Sequence, residues 1–93
     1  MKIEKLQTKI EQLRESLSLL RARIFTKECV VKGFESKDTI EIRIGGQGSF
    51  INIPPESIHY NLIQSIYIEE INTKITEAEE QVYSIAKELK NEI

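Results

Sequence analysis

The chain has 93 residues, with 13 Lys+Arg against 15 Asp+Glu, a formal net charge of -2, one Cys and one His. That length predicts one small domain spanning 1–93, and the balance lacks the basic excess of a nucleic-acid coat, so nucleic acid is not an expected partner. A single Cys excludes an internal disulfide, and Cys29 with His59 supplies no pair at metal-ligand spacing, so no metal or cofactor is expected.

The first residues, MKIEKLQTKI, carry acids and no apolar h-region, which excludes a signal peptide. Ile3, Leu6, Ile10, Leu13, Leu17, Leu20 and Ile24 then recur at alternating steps of three and four. That is an a/d heptad seam, and it predicts a helix from Lys2 to Thr26. Its flanking positions Lys2, Gln7, Lys9, Arg14, Ser16, Arg21 and Arg23 hold no acid.

From Lys27 the residues become β-branched, and ESKD at 35–38 reads as a polar turn. TIEIRI and SFINI alternate apolar and polar side chains, as half-buried strands do. The expected arrangement is a three-stranded antiparallel β-meander of Cys29–Phe34, Thr39–Ile44 and Ser49–Ile53, with Cys29 as a small buried residue. Gly45, Gly46, Gln47 and Gly48 join the last two strands. A phosphate-binding loop would end in Gly-Lys-Ser/Thr and open a helix, whereas a strand follows here, so the expectation is a turn that uses glycine for positive φ, Gly46 included. Gly45-Gly46-Gln47 resembles the tip tripeptide of peptide-chain release factors, which reaches the peptidyl-tRNA ester. The chain continues Gly48-Ser49-Phe50 rather than His-Val-Asn, and the likeness covers those three residues alone.

Pro54-Pro55-Glu56-Ser57 has the composition of a helix start and predicts a second helix from Pro55 to Lys90. Its distal half carries another seam, Ile68, Ile71, Ile75, Ala78, Val82, Ile85 and Leu89, while its proximal half is apolar on several sides. Glu69, Glu70, Glu77, Glu79 and Glu80 make this helix acidic, which favours antiparallel packing on the basic first helix. The fold class is therefore α+β, a helix–β-meander–helix unit with coiled-coil-like helices. The second helix is expected to be about ten residues longer than the first. Ile85, Leu89 and Ile93 would overhang, and self-association is the expected way to cover them.

One His and one Cys leave no nucleophile–base arrangement to argue, so a non-enzyme is expected. Arg21, Arg23 and Arg43 supply guanidinium forks, and His59 and Tyr60 open the second helix at the same end of the layout. Together these five are the candidate ligand site, because arginine forks grip phosphate and an aromatic ring stacks on a base. The predicted partners are other copies of the chain and a small anionic nucleotide. The reading is a cytoplasmic, homo-oligomeric, non-enzymatic binding protein. In size and composition it is similar to phage and mobile-element anti-defence proteins that sequester nucleotide signals of host immunity at subunit junctions. The alternative is a protein-binding adaptor or inhibitor, or a chaperone module, since the helix–hairpin–helix order resembles that of prefoldin-type subunits.

Overall fold

A computed structural model describes residues 2–46 and 48–92. Its elements are α1 (Ile3–Glu35), β1 (Ile40–Ile44), β2 (Ser49–Ile53) and α2 (Tyr60–Glu92). Two helices of 33 residues each lie antiparallel, and the strands form a two-stranded antiparallel hairpin between them. The particle is long and thin, 59 × 28 × 16 Å.

The α+β class and the helix pairing stand, but the three-stranded meander does not. The segment expected as a first strand, Cys29–Phe34, is the last part of α1. Tertiary packing explains the override of its β-branched composition. Leu6, Lys9, Leu13, Ser16, Leu20, Arg23, Lys27, Val30 and Phe34 are the buried or half-buried positions of α1 at steps of three and four. Continuing the helix to Phe34 extends that stripe along α2, whereas a strand would break it. Cys29 falls off the stripe and is exposed.

The buried stripe is rotated from the expected seam. Leu6, Leu13, Leu17 and Leu20 are half-buried as expected, while Ile3, Ile10 and Ile24 are exposed on one flank. The middle of the contact uses small residues instead: Ser16 and Ala78 are both buried, which lets two helical backbones approach closely. On α2 the expected seam holds, with Ile71 and Ala78 buried and Ile68, Ile75, Val82, Ile85 and Leu89 half-buried.

The overhang is also corrected. The first helix is longer than expected and the second starts later, so their far ends meet. Lys5 reaches Glu92 at 3.6 Å, and Lys9 donates a hydrogen bond to Glu88. That bond holds the Lys9 ammonium charged to higher pH than an ordinary lysine. Ile85 and Leu89 pack against α1; Ile93 lies outside the described residues.

α1 ends in a Schellman motif. The Asp38 N–H bonds the Gly33 carbonyl at 2.9 Å and the Lys37 N–H bonds the Phe34 carbonyl at 3.1 Å. Lys37 holds the left-handed position that glycine usually takes, with φ 56°. In the hairpin, Gly45 (φ 71°) and Gly48 (φ 77°) supply the positive φ values of the connecting turn. Gly46 has neither a positive φ nor a close neighbour, so the expected strain there is absent. Gln47, the third residue of the release-factor-like tripeptide, lies outside the described residues.

The Pro54–His59 stretch forms turns rather than helix. Ser57 N–H bonds the Pro54 carbonyl at 3.0 Å, and Ser57 Oγ accepts the His59 N–H at 3.2 Å.

Two stability outcomes are expected in urea denaturation. Lys37→Gly should stabilise by about 0.5–1 kcal/mol, the left-handed strain relieved less the entropy glycine adds to the unfolded chain. Ile71→Ala should destabilise by about 2–3 kcal/mol, because it opens a cavity at one of the few buried apolar positions.

Candidate functional site

The predicted ligand residues separate when placed on the fold. Arg21 is exposed on α1. Arg23, two positions on, is half-buried and lines a groove under the β-hairpin. Arg43 projects from β1, and its Nε donates to Glu41 Oε1 at 2.9 Å, so its charge is paired with a carboxylate on the same strand while the side chain stays exposed. His59 is exposed in the turn before α2.

Tyr60 is 5% exposed and acts as a structural pin. Its hydroxyl donates to the Asp38 carbonyl at 2.6 Å, tying the start of α2 to the turn after α1. Its ring meets Phe34 edge-on, with centroids 6.0 Å apart, and Phe34 also meets Tyr67 at 6.2 Å. At that burial Tyr60 offers little open ring surface for the base stacking expected of it.

The feature that sequence reasoning passed over is apolar. Opposite residues in the hairpin share a face, and the register pairs Ile40 with Ile53 and Ile42 with Ile51. Five isoleucines, at 40, 42, 44, 51 and 53, thus form one side of a two-stranded sheet. Ile40 and Ile42 line a groove of about 510 Å³ with Ile63, Ile66, Tyr67 and Ile71 of α2. Arg23, Lys74, Glu41 and Glu70 also line it, so its charged lining is balanced. The groove is open. Substantial packing joins α1 to α2 and β1 to β2, while hairpin and helices meet only sparsely. Outside the groove, Ile44, Ile51 and Leu62 are exposed and Ile58 is 89% exposed, and Ile66 on the groove wall is itself exposed.

The alternation in TIEIRI and SFINI was the signal for this face. What the pattern could not show is that the helices leave much of the face uncovered. Among the described residues no group of three or more His, Cys, Asp and Glu is placed to hold a metal ion. Among the described residues no helix is long and apolar enough to cross a membrane.

Comparison with protein-family models, curated proteins and solved structures finds no match to this chain.

The pin makes a test of its own. Tyr60→Phe keeps the ring against Phe34 and removes the bond to Asp38, so it should destabilise by about 1 kcal/mol in urea titration. Tyr60→Ala also removes the ring and should cost several-fold more.

Proposed function

We propose that this chain is a non-enzymatic binding module that works as a homo-oligomer assembled at its β-hairpin end, with the helix pairs projecting as arms. The observation that carries this reading is the uncovered apolar surface formed by the hairpin isoleucines with Ile58, Leu62 and Ile66. Large exposed apolar side chains gathered towards one end of a chain are a mark of association rather than of a free monomer.

The monomer's dimensions support the same reading. A folded chain of 10.8 kDa is expected to expose roughly 5,500 Å², and this one exposes 7465 Å². Its radius of gyration is 18.6 Å, against roughly 12 Å for a globular chain of this length. The helix seam buries a single stripe, and the row Ile3, Ile10 and Ile24 stays exposed beside it.

In such an assembly the arm ends carry the exposed Ile3 and Tyr83, a surface suited to contact with another protein. The arrangement is that of prefoldin-type subunits in element order alone. Nucleotide sequestration has less support, because Arg43 is engaged by Glu41 and Tyr60 is buried.

Light scattering on the eluting protein tests the proposal. The wild type should be oligomeric at micromolar concentration. Leu62→Glu with Ile66→Glu should shift it to monomer with helical circular dichroism retained, since both side chains are exposed in the single chain. A monomeric wild type would overturn the reading.

A further inference from the structure

We infer that β2 is the strand through which two copies of this chain join, pairing antiparallel with β2 of the second copy across a two-fold axis at Ile51. This rests on the homo-oligomer reading above and names the surface that mates.

The hairpin has two free edges, and they differ. β1 is the strand beside the helices: Ile40, Glu41 and Ile42 line the groove with α2, and the strand carries the Glu41–Arg43 ion pair. Charged side chains of this kind guard an edge against further pairing. β2 has no charge and no proline between Ser49 and Ile53, and Ser49 through Asn52 are exposed. Alternate residues of β2 direct N–H and C=O groups away from β1. None of these makes a backbone hydrogen bond elsewhere among the described residues. An unprotected, uncharged edge is a template for another strand. A lone two-stranded hairpin with few supporting contacts is also marginal until it gains one.

A second copy satisfies this edge in a way that an arbitrary strand would not. An isologous contact repeats each interaction twice. With the axis at Ile51, Ser49 faces Ile53 of the other copy and Phe50 faces its Asn52. Side-chain parity is kept, so the isoleucine faces of both hairpins fall on one side of a continuous four-stranded sheet. The outer face then sets Phe50 beside Asn52 with no like charges opposed. Ile51, 57% exposed in the single chain, becomes the centre of the shared apolar face.

Disulfide trapping in full-length protein reads this geometry directly. Residues opposed on the axis of an antiparallel pair have Cα atoms about 4.5–5.5 Å apart, inside the range a disulfide spans. In a Cys29→Ser background, Ile51→Cys should give a covalent dimer on mild oxidation. Ile44→Cys, equally exposed but on β1 and away from the axis, should trap at least several-fold less. Circular dichroism of both variants checks that the helices are intact.

A charge pair gives the second arm. Phe50→Glu with Asn52→Lys sets opposite charges across the axis and should preserve association. Phe50→Glu with Asn52→Glu sets like charges there and should weaken it at least tenfold, whereas Asn52→Glu alone, which opposes Glu41 within its own hairpin but meets uncharged Phe50 across the axis, should weaken it far less. An oligomeric wild type in which Ile51→Cys traps no faster than Ile44→Cys would overturn the β2 pairing and leave the assembly reading standing. A monomeric wild type would overturn both.

Discussion

The contact between α1 and α2 is what the rest of the chain leans on. It is narrow, one stripe from each helix, and it is differentiated along its length. Ion pairs from Lys5 and Lys9 to Glu92 and Glu88 align one end, and small residues draw the backbones together in the middle. At the other end Phe34, Tyr60 and Tyr67 form an aromatic cluster, and the Tyr60 hydroxyl holds the Asp38 carbonyl. Exposed ion pairs contribute little to stability, so their role is mainly to set direction and register. Stability must come from the stripe and the aromatic cluster. Once these set the spacing of the helix ends, the chain between them has to span a fixed gap, and the hairpin is the part of it that pairs with itself.

That dependence leaves the hairpin exposed. It hangs from a helix pair whose core is too thin to cover it, and its own two strands bury nothing between them. A sheet with one apolar face needs a surface beneath it or more strands beside it. The helices supply part of a surface in the groove lined by Ile63, Ile66 and Tyr67. Further strands can come only from outside the chain. Shape, exposed isoleucine side chains and an uncharged β2 edge are the three features on which the proposal of function through association rests.

The candidate arginine site shows what one-dimensional proximity leaves open. Arg21 and Arg23 are two residues apart, yet a helix turns about 200° between such positions, and one is exposed while the other enters the groove. Arg43 finds its partner two residues back on its own strand, where side chains at that spacing share a face. Tyr60 reads as a free aromatic at a helix start, but it packs against Phe34 of α1 and bonds the Asp38 carbonyl. Its burial comes from Phe34, which the sequence pattern had assigned to a strand.

What the sequence by itself determined was periodicity. The steps of three and four on each helix, the alternation in TIEIRI and SFINI, the glycines at 45 and 48 and the opposed charges of the helices were legible, because each is a local rule. The helix pair, the hairpin and the antiparallel direction follow from them. Tertiary structure decided where local rules compete. Cys29–Phe34 has the side chains of a strand, but as helix it extends the stripe against α2, and burial outweighs propensity. The turn at Pro54–His59 has the composition of a helix start, yet α2 begins at Tyr60, where the ring pins to Phe34 and Asp38. These two shifts equalise the helices and remove the overhang. They also move the uncovered apolar surface from the helix ends to the hairpin, since which face a helix buries depends on its neighbour and not on its own pattern.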